Sequence, residues 1–412
     1  MISKGIEGIF PYIIKARFSL KKYILHNYFL LVYTFYFLYV FYPSYSRPGV
    51  IASFFLLYLI YSIFPLKLDF LGSLVLIYFI MTVISIFVTY SNGFPVSVGL
   101  SEFSNSSLPI VFFFVGQKKD FDRDRFYVNY LYAAFLCFLI GMYWYVTLPP
   151  YYIAYLQRTM GSFSLQGYLL NRRFASYLSS VLIGMISSIC VLLSGHYYIK
   201  RSKLKYLIML YLSFVISILS MQRASYLMSG VALIMLLSTR ERKKTKRYLA
   251  IIVPLIFSTV ILLRTIDISY LQIIFTRFQE FGDAIGERSG QWRVLGRIGF
   301  AIFLGRGLGS MSHKALGFSD MLINDGGFFK LIGELGLVGF ALFVSIVIGT
   351  VVRFLISKER QRYFIEPRIL LLFFIQSLGS NSFFFQALAP LFWLSIGILS
   401  TSGISRSKVS NC

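Results

Sequence analysis

The chain has 412 residues; 57% are hydrophobic, 18% aromatic and only 14% charged, with a net charge of +24. A soluble chain carries roughly 25% charged residues, so this composition argues against an ordinary water-soluble enzyme, and the long apolar runs argue against a membrane β-barrel, which reads as short alternating segments. The excess charge sits in clusters between apolar runs without the motif context of an RNA or DNA binder, so no nucleic acid partner is expected; Cys137, Cys190 and Cys412 offer neither a disulfide framework nor a zinc spacing.

The first 23 residues hold Lys4, Lys15, Arg17, Lys21 and Lys22 but no apolar core with a small-residue cleavage site, so no cleaved signal peptide is expected. Apolar runs then predict membrane-crossing helices at 24–42, 49–65, 70–90, 94–116, 126–148, 174–196, 206–222, 224–239, 248–264, 326–352, 369–384 and 386–401. A span needs about 20 residues, and the pattern predicts an all-α, polytopic integral membrane protein with about 12 transmembrane helices, organised as a single membrane domain over 1–412. Glu102-Phe103-Ser104-Asn105-Ser106-Ser107 interrupts the fourth run before Pro109. Such a break is tolerated where backbone is buried in protein or lines a cavity.

Basic clusters orient the chain: Lys118-Lys119 with Arg123 and Arg125, Lys200-Arg201 with Lys203 and Lys205, Arg240 to Arg247, and Lys358 to Arg368. With the N-terminus inside, span parity puts all of them on one face. The positive-inside rule makes that face cytoplasmic, and both termini with it. Two longer segments, 149–173 and 265–325, fall on the other side as extracytoplasmic loops.

Arg223 lies at the extracytoplasmic tip of a tight hairpin, in Gln222-Arg223-Ala224-Ser225. A cation at that depth costs roughly 2.5–3.5 kcal/mol at a helix centre. Two readings stand: an interfacial arginine reaching headgroups, or an anion clamp whose planar fork fits phosphate oxygens. Arg158, Arg172 and Arg173 in the earlier loop admit the same pair, glycan or pyrophosphate contact against headgroup contact.

The long loop holds six basic residues, Arg277, Arg288, Arg293, Arg297, Arg306 and Lys314, and six acidic ones. Arg288 and Trp292, four apart, share a face of an amphipathic loop helix. Ile298 to Leu304 is apolar, too short to span, and suited to the interface. Gly305-Arg306-Gly307-Leu308-Gly309 allows a sharp turn and close approach to a ligand or another helix, or an anion-binding nest of amides. Asp325 then opens the tenth span as an N-cap or a reactive carboxylate. Glu334, four residues after Lys330, pairs with it on one helix face or serves substrate.

From Glu287 to Gly339 the chain resembles the signature region of the O-antigen polymerase and ligase superfamily. That pattern is an Arg-x-x-x-Trp helix (Arg288, Trp292), a Gly-x-Gly-x-Gly turn (Gly305, Gly307, Gly309), and a polar residue opening a span with Glu-x-Gly-x-x-Gly (Asp325, then Glu334, Gly336, Gly339). Gln222-Arg223-Ala224-Ser225 resembles the family's arginine-bearing hairpin. The motif resemblance covers roughly residues 220–340; elsewhere it is one of topology.

The resemblance implies a GT-C-like glycosyltransferase of the bacterial cytoplasmic (inner) membrane, polymerising polyprenyl-pyrophosphate-linked oligosaccharides into O-antigen or capsule-type polysaccharide. Arg223 and Arg288 would clamp the pyrophosphate, and Asp325 would be the base. Arg158, Arg172, Arg173, Trp292, Gly305, Arg306, Gly307, Gly309, His313 and Glu334 would contact substrate. No metal or cofactor is implied, and the partners would be the lipid-linked substrates, the bilayer and a chain-length regulator protein. The ligase branch has a histidine where this chain has Asp325; His313, upstream in the loop, is either its substitute or an ordinary loop histidine. A ligase and a lipid-linked oligosaccharide flippase remain the alternatives.

Overall fold

The computed structural model describes residues 23–43, 48–63, 68–160, 173–238, 242–266, 293–319, 321–323, 326–381 and 385–402, with isolated positions at 272, 276, 279 and 383. Helices and turns, with no strand, make up these residues. In chain order the longer helices are α1 (Tyr23–Phe41), α2 (Pro48–Ile63), α3 (Phe70–Ser91) and α4 (Val96–Gly116). Then come α5 (Arg123–Thr147), α6 (Pro150–Met160), α7 (Ser180–Arg201), α8 (Leu204–Leu219) and α9 (Arg223–Leu237). The last are α10 (Arg242–Ile266), α11 (Gly327–Ile356), α12 (Glu366–Ser377) and α13 (Ala389–Ser400).

Six of these helices, α1, α3, α4, α5, α7 and α11, are long and apolar enough to cross a membrane. Their outward faces suit lipid. On α3, Leu71, Val75, Tyr78, Thr82 and Ser85 turn inward, while Ile77, Ile80, Ile84 and Phe87 stand exposed. On α10, Val253, Phe257 and Val260 stand exposed as well. In water, apolar belts of this extent would drive association.

The centre of the bundle is α7, buried almost continuously from Leu182 to Gly195. It packs on α8 and α9 through small residues, the means by which helices approach closely when lipid supplies no hydrophobic drive between them. Gly184 lies against Ser220 and Ser225, and Ser188 Oγ is 2.9 Å from Ser229 Oγ. Likewise α13 packs closely on α4, where a Cβ on Gly116 would sit 2.6 Å from the Leu394 carbonyl.

Each expected span contains a helix, with instructive shifts of boundary. Residues 149–173, expected as loop, include α6, whose Tyr155 hydroxyl donates to the Tyr177 carbonyl at 2.8 Å. The run from 174 becomes helical only at Ser180. Ser179 caps α7 by accepting from the Leu182 amide, and the Phe174 amide donates to the Leu219 carbonyl at 2.8 Å, tying the non-helical stretch before α7 to the end of α8. The break in α4 is a π-helical turn at Phe103–Ser107 followed by a 3-10 turn at Leu108–Ile110. Single π-turns of this kind are frequent at functional sites.

Candidate functional site

The segment around the three glycines folds back into the bundle. Gly305, Gly307 and Gly309 are all buried, with φ of 80°, 97° and 85°. They dock where α11 itself is broken, at Gly336, whose φ of 72° and ψ of 179° are not helical. A break frees backbone groups that must find partners, and the turn supplies them. The Arg306 amide donates to the Gly333 carbonyl at 2.9 Å and the Gly307 amide to the Glu334 carbonyl at 3.1 Å. The Val338 amide donates back to Phe303 at 3.3 Å. The Leu308 amide reaches Ser85 on α3 at 3.2 Å, and the Thr89 hydroxyl returns a bond to the Leu308 carbonyl at 2.8 Å.

Backbone here meets backbone, so side chains are excluded. A Cβ on Gly305 would stand 2.6 Å from the Gly336 amide nitrogen, and one on Gly309 2.8 Å from the Val98 carbonyl. The amides of residues 306, 307 and 308 are thus committed to protein carbonyls, and the motif works as a helix-docking turn rather than as an open anion nest.

Beneath the turn lies a group of charges. Lys330 Nζ is 2.6 Å from Glu102 Oε1, both side chains being almost wholly buried. Lys314 Nζ, from the loop, is 2.9 Å from Glu102 Oε2. Glu334 lies 3.8 Å from Lys330 and is fully buried. The Gly309 and Met311 amides approach its carboxylate, but neither oxygen accepts a hydrogen bond of good geometry. Burial pushes the Lys314 ammonium below the usual lysine value, and the neighbouring Glu102 only partly offsets this. Two cations balance two carboxylates, which is what makes a buried group of this kind tolerable. A cavity of about 20 Å³, room for roughly one water, adjoins it between Tyr78, Thr82, Ser106 and Ser107.

Lys330 and Glu334 do meet along one helix face, as their spacing predicts, but the closer partner of Lys330 is Glu102. Glu102, Lys314 and Lys330 escaped the sequence reading as site residues. The signal for Glu102 was a lone carboxylate inside an apolar run; its partners come from distant segments.

Arg223 is the first residue of α9 and is half-buried. The hairpin before it turns through Met221 at φ 53°, and Gln222 donates to Ser180 at 3.1 Å. Because Phe174 is bonded to Leu219 in the same hairpin, Arg173 and Arg223 flank one corner of the fold. Arg158 lies elsewhere, over the Tyr39 ring at 5.9 Å and bonded to the Val40 carbonyl. Its ring partner Tyr39 lines a groove of about 770 Å³ with Tyr36, Ser53, Ser104, Asn105 and Tyr155. Gln386 bridges Gly49 on α2 and Ser104 on the π-turn beside this groove.

Arg306 lies over Phe94, with a guanidinium nitrogen 3.0 Å from the Met321 sulfur, and His313 is exposed. The structure therefore unites Gly305, Gly307, Gly309 and Glu334, brings Arg173 to the Arg223 corner, and sets Arg158 apart. Arg172, Arg288, Trp292 and Asp325 lie outside the described residues. No family model matches this chain, and no curated protein matches it.

Proposed function

We propose that the chain is a polysaccharide polymerase of a bacterial cytoplasmic membrane, with twelve spans and both termini cytoplasmic. It would join polyprenyl-pyrophosphate-linked repeat units on the outer face. What supports the reading above all is that the two stretches carrying the family resemblance, the glycine turn and the Glu-x-Gly segment of α11, interlock as one buried unit. The arginine corner formed by the segment at Arg173 and the hairpin at Arg223 is a second support.

In this reading the acceptor hydroxyl attacks the anomeric carbon of the growing glycan. The bond from that carbon to the lipid pyrophosphate breaks, a glycosidic bond forms, and the hydroxyl proton passes to a base, Asp325. Arg223 and Arg288 stabilise the negative charge developing on the leaving pyrophosphate, a contribution that is often the largest in catalysis. The interlocked turn supplies the rigid support that a long loop would otherwise lack.

The test is a surface-glycan gel from a deletion strain complemented with variants, with protein levels checked in parallel. Arg223→Lys keeps charge but loses the bidentate fork; single-repeat glycans in place of a ladder are expected. Asp325→Asn keeps the size of the side chain but cannot accept a proton, and the same short glycans are expected; the N-cap position of α11 is Gly326 rather than Asp325. Wild-type ladders from both would remove these residues from the chemistry. Loss of every anchored glycan from the deletion strain, single repeats included, would favour a ligase or flippase and overturn the reading.

A further inference from the structure

At the end of the bundle opposite the glycine turn, a cavity of about 790 Å³ opens among the ends of α5, α7, α9, α10 and α11 and the segment leading into α12. Its charged lining is Arg123, Lys200, Arg360, Arg362 and Arg368 against Asp124 and Glu366. Both carboxylates are taken: Lys200 Nζ is 2.6 Å from Asp124, and Arg123 is 3.5 Å from Glu366. That leaves three guanidinium groups.

Arg368 stacks on Phe364 at 3.7 Å and donates to the carbonyls of Phe364 and Met235 and to the Ser238 hydroxyl, all neutral acceptors. Its position is therefore fixed while its charge is not cancelled. Arg362 pairs with Glu359 at 3.1 Å, but both side chains are at least half exposed, and such pairs are weak. Arg360 is exposed and makes no ion pair among the described residues. The cavity is also amphipathic, with Ile199, Met235, Phe354 and Leu371 beside the cations.

We propose that this cavity binds the phosphate headgroup of an anionic phospholipid, with Arg360, Arg362 and Arg368 on the phosphate oxygens and the apolar wall against the upper acyl chains. Three guanidinium groups, none of them held by a buried carboxylate and one in only a weak exposed pair, suit phosphate geometry. The apolar wall, in a basic pocket among helix ends, favours a lipid over a soluble phosphate. The inference is independent of the proposed polymerase chemistry, since it uses none of those residues.

The full chain, purified in a neutral detergent, is titrated with phosphatidylglycerol, with phosphatidylcholine and with glycerol 1-phosphate, and bound ligand is counted by native mass spectrometry. Phosphatidylglycerol is expected to bind in preference to both others. The double variant R360Q/R362Q, at exposed positions that leave the fold intact, should weaken it about tenfold, the scale of losing one or two charged hydrogen bonds. The double variant K118Q/K119Q, on the same face but outside the cavity, should leave binding unchanged. Equal binding of the two lipids, equal loss in the two double variants, or unaltered binding in R360Q/R362Q would each overturn the proposal. Glycerol 1-phosphate binding as tightly as the lipid would overturn the lipid source and leave a soluble phosphate as the occupant.

Discussion

Gly307 shows how a single hydrogen can decide a local fold. Its φ of 97° belongs to the region that L side chains rarely adopt, and a Cβ would press into the Thr89 backbone. Gly307→Ala is expected to cost about 2–5 kcal/mol, the sum of left-handed strain and overpacking. Gly230, in the middle of α9 with open space around it, is the matched control. Gly230→Ala should be neutral or stabilise by about 0.5–1 kcal/mol. Thermal unfolding in detergent separates the two; similar midpoints for both variants would mean that the turn is not docked as described.

Between elements, two charge contacts tie distant parts of the chain. Glu102 on α4 holds both Lys330 of α11 and Lys314 of the loop. Glu102→Gln strands Lys314 and leaves the deeply buried Lys330 only its longer 3.8 Å contact with Glu334, and should cost about 3–5 kcal/mol. Lys314→Met leaves the Glu102–Lys330 pair intact and should cost clearly less. A larger loss from Lys314→Met, measured by the same unfolding assay, would reverse the hierarchy.

The second contact is Asp69, which caps α3 through the Gly72 amide at 2.8 Å and pairs with Arg353 of α11. Partial burial raises its carboxyl, but the Arg353 hydrogen bond and the Gly72 amide outweigh this and hold it below the ordinary value. A depressed folded pKa gives stability that is fully present above the unfolded value, near about 3.9, and is lost as pH falls through the folded one. The gap in unfolding midpoint between wild type and Asp69→Asn should therefore stay constant from pH 7 to about 5 and close only in stronger acid. A gap that closes between pH 7 and 5 would mean that another group is responsible.

At the scale of the whole molecule, orientation is the open quantity with the simplest assay. Reporter fusions at Gly282, in the long loop, and at Lys243, in the basic first turn of α10, should report opposite compartments. Reports from the same compartment would break the parity on which the proposed outward-facing site depends. The ends of the bundle are already unlike. One gathers Arg123, Lys200, Arg362 and Arg368 around a cavity, and the other holds Glu102, Lys314, Lys330 and Glu334 together beneath the glycine turn.

The apolar runs alone determined that the chain is all-helical and suited to a membrane, because a bilayer accepts few backbone solutions and demands long apolar stretches for them. The spacing of Gly305, Gly307 and Gly309 likewise announced close backbone approach. Only the tertiary structure decided what they approach: the break at Gly336, whose freed carbonyls need the loop's amides. Sequence could not pair Glu102 with Lys330 across 228 positions. That meeting is set by how α4 and α11 pack, and a buried charge takes whichever partner packing brings within reach.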